Sequence, residues 1–320
     1  MIEVLNPGLQ TTIQAGPRLG YRHQGVPWSG AADPLSLALA NRLCGNIWDA
    51  PALEITFSPF ACRFHKRQVI GVTGAPASLV LGGRSAEQHR TLTAEAGEIL
   101  EINPTRIGSR IMLAASGGFH ADQLFGSAST YLPASFGGLQ GRALRKNDQL
   151  TVNELLRNVE HTSTPKELLP TLSNSHILRV TTAPEWESLT PLSHRRFVEM
   201  PFFADRQIDR MGIRLSKNPL QLEEECTQIE SAAVAPGTIQ CPVGGVPIML
   251  GPDAQVTGGY PRIASVITAD LWRMGQVRPG DRVRFMLVTD NEANKARRTL
   301  AAITTNWCGS EWLSAAARER

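Results

Sequence analysis

At 320 residues the chain is long enough for two domains of ordinary size, and 42% apolar against 19% charged residues is the balance of a folded protein, which excludes a disordered one. The net charge of +3 is small for this length and makes no case for nucleic acid, which calls for a clustered basic face. The opening MIEVLNPGLQTTIQ lacks the positive start and apolar core of a signal peptide, and no run approaches the length that crosses a bilayer; a soluble, cytoplasmic protein with no membrane contact is expected.

The first predicted element is a helix over 33–45. Asp33 is a good N-cap and Pro34 suits the first helical position. Leu35, Leu39 and Leu43 repeat at four-residue spacing, and Gly45 can take the left-handed conformation that ends a helix. Capping is the role these residues favour for Asp33; a carboxylate facing a cleft is the alternative. After Ala50 the pattern turns to strand. LEITF, QVIGVTG, SLVLGG, GEILEIN and RIMLAASGG are short runs rich in Val, Ile, Leu and Thr, broken by Gly, Pro or Asn, as in a barrel or sandwich. A faint repeat accompanies them: AGEILEI from Ala96, KNDQLTV from Lys146 and PGDRVRF from Pro279 each place a turn, an acidic or amide residue, and alternating apolar positions.

The segment 126–148 stands apart, with glycines, a hydroxyl cluster of Ser127, Ser129, Thr130 and Tyr131, and Arg142 among small residues. Glycine there can expose N–H groups to an anion, and Arg142 can clamp a carboxylate or phosphate; equally, Arg142 can be tied to an acidic residue of the loop's own surroundings. A domain boundary is expected between about Val152 and His176, in polar, proline-containing sequence. The second lobe then runs to about Val288, with a helix and loop over 190–215 in which Arg210 either reaches a substrate carboxylate or marks a solvated face. The tail from Asn291 reads as a helix packed on that lobe, with Leu300, Ile303 and Trp307 on one side and a frayed AAARER end.

Much of the polar chemistry is concentrated in 236–285. Glycine turns and strand-length apolar runs there enclose Asp253, Gln255, Thr257, Tyr260 and Arg262, and both a small-molecule site and a tight surface β-turn fit that pattern. Cys44, Cys62, Cys226, Cys241 and Cys308 are widely spaced with no C-x-x-C pair, as for reduced, mostly buried thiols; Cys241 has no local base to activate it. The histidines are scattered. No phosphate-binding P-loop, dinucleotide fingerprint, H-E-x-x-H, nucleophile elbow, zinc-spaced cluster or biotin-accepting Met-Lys-Met segment is present, and no metal site is expected.

The blocks GVPWSGAADPLSLALANRLCGN (25–46), PALEIT (51–56), GSASTYLPASFGGLQGRALRKND (126–148), DRMGIRL (209–215) and the stretch 236–285 come in one order along nearly the whole chain. Together they resemble the family of the 5-oxoprolinase C component, also known as urea amidolyase-related, Kip-antagonist-like or allophanate hydrolase subunit 2 proteins, which is similar to part of the carboxyltransferase domain of urea carboxylase. The resemblance implies a mainly β fold with a few helices, built as two cyclophilin-like β-barrel lobes over 1–160 and 176–290 with a helical tail at 291–320. It implies one component of an ATP-dependent 5-oxoprolinase that opens the lactam of 5-oxo-L-proline to L-glutamate, working with the Kip-inhibitor-like B component and with the A component of that enzyme. ATP is used with those partners, and no biotin is covalently attached. Phosphorylation of the amide oxygen would turn a poor electrophile into one that water can attack.

On that implication the loops 126–148 and 253–262 meet in a cleft between the lobes or at the face toward the B component. There Arg142 and Arg262 hold anionic groups, Gln255, Thr257 and Tyr260 orient the lactam, and Asp33 or Asp253 is the acid or base. Val256 replaces a second Thr common in the family loop, and Cys241 stands at a usually apolar position. Two other readings of the resemblance stay open: biotin-dependent carboxyl transfer of the urea carboxylase type, and a non-catalytic regulatory partner like the Kip antagonist.

Overall fold

The computed structural model describes residues 1–154, 159–226 and 229–313. The chain divides into two compact units, the first containing Met1–Arg18, Ser29–Leu172 and residues 302–313, the second containing Leu19–Trp28 and Ser173–Ala301.

The first unit holds β1 (Ile2–Asn6), β2 (Gln10–Gln14), α1 (Pro34–Leu43), β3 (Ala52–Thr56), β4 (Phe60–Phe64), β5 (Gln68–Gly74), β6 (Ala77–Leu81), β7 (Arg84–Ala86), β8 (Thr91–Ala94), β9 (Ile99–Pro104), β10 (Arg110–Ala115) and β11 (Gln149–Leu150). They form a sheet in the order β11-β1-β4-β9-β6-β7 and a second in the order β2-β3-β10-β5-β8. Alternation sets the faces: along β9, Leu100 and Ile102 are buried while Glu101 and Asn103 are exposed. The inward residues, among them Ile13, Leu53, Phe60, Phe64 and Leu113, make one core. Helix α1 packs on β5 and β10 at Gly71, where a Cβ would stand 2.8 Å from the Ala40 carbonyl, so only glycine lets the helix come this close.

The second unit contains β12 (Ser175–Thr182), α2 (Pro191–Glu199), β13 (Phe202–Ile208), β14 (Gly212–Ser216), β15 (Ala232–Ala233), β16 (Thr238–Gln240), β17 (Ile248–Leu250), β18 (Thr257–Gly258), β19 (Arg262–Val266), the one-turn α3 (Leu271–Met274), β20 (Arg282–Leu287) and α4 (Asp290–Cys308), whose last residues belong to the first unit. Seven strands close a barrel in the order β12-β19-β16-β17-β14-β13-β20, the seam being a parallel β12/β20 pair. Phe197 of α2 stacks on Phe285 with ring centroids 4.6 Å apart and meets Phe202, so the helix seals one part of the barrel core with aromatic rings.

The fold is thus mainly β with a few helices. Two expectations need correction. Residues 202–208 form β13 rather than a loop, because Phe202 and Ala204 point into the barrel and the backbone pairs with both β14 and β20. In α4 the buried residues are Thr304 and Cys308, while Ile303 is 47% exposed. The end of that helix is held in the first unit: Arg42 Nε donates to the Trp307 carbonyl at 2.6 Å and its guanidinium lies 5.6 Å above the Trp307 ring. The AAARER end falls outside the described residues.

The faint repeat has a physical basis. In each of its three copies a carboxylate accepts from the backbone N–H three residues before it: Glu98 from Glu95 at 2.9 Å, Asp148 from Arg145 at 2.7 Å, and Asp281 from Arg278 at 2.9 Å. The residue just before each acid, Gly97, Asn147 or Gly280, is left-handed. The turn then releases the chain into β9, β11 or β20. Among the described residues no helix is long and apolar enough to cross a membrane.

Candidate functional site

In the second unit, the loop 253–262 is held at both ends by ion pairs. At its start, Asp253 receives Arg210 Nε at 2.8 Å and the terminal nitrogen at 3.0 Å, and its own N–H donates to the Arg210 carbonyl at 2.9 Å. Both side chains are buried. Arg210 is therefore not a solvated surface residue; it is the counter-charge that lets Asp253 be buried. Gly251 permits this approach, since a Cβ there would lie 2.4 Å from the Arg210 carbonyl. At the loop's end, Arg262 makes a bidentate pair with Glu185 at 2.8 and 2.7 Å and donates to the Ala233 carbonyl at 2.9 Å. The Arg262 guanidinium holds Glu185 below the usual carboxylate range.

Between these anchors the chain makes the short β18, paired with β15 so that Thr257 lies opposite Ala233. Gln255 Nε2 reaches Gln240 Oε1 at 3.5 Å, and Gln240 Nε2 donates to the Tyr260 carbonyl at 3.3 Å. Gly258 lies close over that amide pair: a Cβ would stand 2.7 Å from Gln240 Nε2. Tyr260 is 45% exposed. Beside this hairpin is a cavity of about 660 Å³, lined by Thr257, Val256, Ala233, Arg22 and His23 among others. Arg22 donates to the Val234 carbonyl, and its guanidinium lies 5.3 Å from the Trp28 ring. Of the residues expected here, Thr257 faces the cavity. Arg22 and His23 were not foreseen, because nothing in the string YRHQG shows that 19–28 leaves the first unit to join the second.

The first unit places its residues differently. Asp33 is a cap: Oδ1 accepts from Ser36 N–H at 2.9 Å and Oδ2 from the Ser36 hydroxyl at 2.6 Å, deep in the protein. Arg142 pairs with Asp148 at 2.7 and 2.9 Å and holds that carboxylate below its ordinary range. The hydroxyls of the 126–148 loop are ties to β2 and the residues after it. Ser127 donates to the Gly16 carbonyl at 2.7 Å, Thr130 to the Ile13 carbonyl at 2.9 Å, and Ser129 accepts from Ala15 N–H at 2.9 Å. The buried Arg18 adds bonds to the Leu124 and Ser129 carbonyls and lies 4.8 Å from the Phe136 ring.

A second cavity, of about 410 Å³, opens beside Gly126 and Ser127 and includes Asn46, Asp49 and Glu154 in its wall. Burial pushes the Asp49 carboxyl above its ordinary value. Asp33, Arg142, Asp253 and Arg262 line neither of these two cavities. All four are engaged in caps or ion pairs. Cys241 is buried, its thiol pushed up to about 12 by that burial, which keeps it protonated and inert. Among the described residues no group of His, Cys, Asp or Glu is arranged to hold a metal ion. Neither of these two cavities is lined by a lysine; the guanidinium at them is that of Arg22.

Residues 24–287 match the family described as carboxyltransferase domain, subdomain A and B. The chain is 34% identical over 298 residues to the C component of 5-oxoprolinase from Escherichia coli (strain K12), covering 93% of this chain and 94% of that protein. It is equally 34% identical, over 299 residues, to the corresponding 5-oxoprolinase component of Haemophilus influenzae, with the same coverage. Among solved structures, the Kluyveromyces lactis urea carboxylase superposes with a TM-score of 0.91 at 30% identity, over 97% of this chain but 29% of that one. The chain belongs to the carboxyltransferase-domain family of subdomains A and B, the family that includes the C component of 5-oxoprolinase.

Proposed function

We propose that the chain is one component of an ATP-dependent 5-oxoprolinase, which opens the lactam of 5-oxo-L-proline to L-glutamate together with the B and A components in the cytoplasm. The observation that carries this reading is the end-to-end match to free-standing 5-oxoprolinase components, 93% of this chain on 94% of theirs. The cavity beside Thr257 is this chain's share of the substrate site. Arg22 brings positive charge to its wall, suited to the 5-oxoproline carboxylate, and the Thr257 hydroxyl and His23 imidazole supply hydrogen bonds to a lactam. Gln255 and Tyr260 shape the hairpin that presents Thr257, and the Arg210–Asp253 and Arg262–Glu185 pairs hold its ends. ATP is used by the assembly together with the partner components.

A second reading is carboxyl transfer to an amide nitrogen, favoured by the 0.91 TM-score against urea carboxylase. Omission assays separate the two. The chain is mixed with the B and A components, each left out in turn, and 5-oxoproline-dependent release of glutamate and ADP is measured. Release that needs all three supports the lactamase reading. A stable assembly that releases neither product contradicts it and moves the weight to carboxyl transfer or, with no activity of either kind, to a regulatory partner.

A further inference from the structure

The first turns of α4 and the barrel wall beneath them border an open groove of about 430 Å³ that the proposed reaction does not use. The helix lies beyond residue 287, where the family match stops. On the barrel side are Thr181 of β12 and Ser265 of β19, directly opposite each other across the antiparallel ladder, with Thr268 just beyond. Their strand neighbours Val180 and Val266 belong to the barrel core, so alternation turns the two hydroxyls outward into the groove. On the helix side are Asp290, Asn294 and Arg297, whose spacings of four and three put them on one face.

The side chains of Thr181, Asp290, Asn294 and Arg297 make no hydrogen bond or ion pair among the described residues. The helix N-terminus does not occupy them, for it is closed by its own capping box: Thr289 N–H donates to Glu292 at 2.8 Å and Glu292 N–H to the Thr289 hydroxyl at 3.3 Å. The groove therefore presents a carboxylate at one end, an amide and hydroxyls in the middle, and a guanidinium at the other. The two charged residues are about 10 Å apart along the helix axis, from seven residues at 1.5 Å each. Helical side chains lean toward the N-terminus, so the long Arg297 side chain reaches back along the groove toward Asp290 and shortens that span.

We propose that this groove binds a free amino acid as a zwitterion, its ammonium on Asp290 and a carboxylate on the Arg297 guanidinium, with Asn294 and the strand hydroxyls along its body. The opposite signs at the two ends carry the choice of ligand. A plain anion such as phosphate meets repulsion from Asp290, and a diamine meets it from Arg297. The site is separate from the cavity beside Thr257 and does not rest on the lactamase reading: binding to the isolated chain is measured without any turnover.

The test is calorimetric titration of the full chain with L-glutamate, L-glutamine and L-alanine, with glutarate and inorganic phosphate as anions that lack the ammonium. Saturable binding of at least one amino acid is expected, with glutarate and phosphate at least about tenfold weaker, the scale of one lost charge-assisted hydrogen bond. Arg297→Gln and Asp290→Asn each weaken amino-acid binding about tenfold or more on the same scale, and Asp290→Asn also narrows the gap between glutamate and glutarate. Neither residue is in a core, and circular dichroism checks that both variants keep the fold. Absence of binding by the three amino acids, equal binding of glutarate or phosphate, or an Arg297→Gln chain that binds as before would each overturn the proposal.

Discussion

The two loops that the sequence offers as candidate site loops are held by different forces. The loop 126–148 of the first unit is fastened mainly by neutral bonds from Ser127, Ser129 and Thr130 to backbone, each to a carbonyl or N–H of the strand region 13–16. The loop 253–262 of the second unit is fastened by two bidentate ion pairs, one of them fully buried. The difference teaches that a charged residue in a glycine-rich loop need not be chemistry. Where the backbone must be held without a continuous ladder, charge pairs do the holding.

The largest expected effect tests the buried pair. Asp253→Ala leaves Arg210 as an uncompensated buried charge and costs about 3–5 kcal/mol, read as a lower urea midpoint for the barrel unit. Replacing both partners, as Arg210→Met with Asp253→Leu, recovers most of that loss. A single replacement that costs less than about 1 kcal/mol, the scale of an exposed pair, would remove the distinction between the two loops.

A second effect separates the units by pH. His89 of the first unit is pushed down to about 4 from 6.5 by burial, so protonation favours the unfolded chain. Its contribution is complete above pH 6.5 and is lost as pH falls from 6.5 toward 4, by up to about 3 kcal/mol. In the second unit, Glu185 is held down chiefly by the Arg262 hydrogen bonds. Asp281 is raised by burial but brought lower still by His176, Asn174 and the Arg278 N–H. Their contributions persist above 4.5 and 3.8 and fade only as pH drops below those values. Hydrogen exchange across pH 7 to 5 is expected to show the first unit loosening while the second holds, with the trend removed by His89→Asn.

The smallest effect belongs to Arg142. Its pair with Asp148 is partly exposed, and Arg142→Ala is expected to shift stability by about 1 kcal/mol or less. A loss of several kcal/mol would show that the first loop, too, depends on charge.

What the sequence reveals follows the range of the interaction. The helix was legible because cap, apolar repeat and terminating glycine lie within a dozen residues, and Asp33 does what an N-cap does. The turn–strand repeat was legible for the same reason, each carboxylate bonding three residues back. The partners of Asp253 and Arg262 were hidden, since they stand 43 and 77 residues away in the chain. Arg22 and His23 were hidden by topology: only the folded chain shows that 19–28 crosses into the second unit and brings them beside Thr257.

The most direct measurement is 5-oxoproline-dependent glutamate and ADP release by the assembled complex, with Arg22→Ala and Arg142→Ala chains compared side by side. The account predicts a severe loss for Arg22→Ala, chiefly as a raised KM for 5-oxoproline, and near-unchanged turnover for Arg142→Ala. Full activity in Arg22→Ala with loss in Arg142→Ala would contradict it and return the site to the first unit's loop.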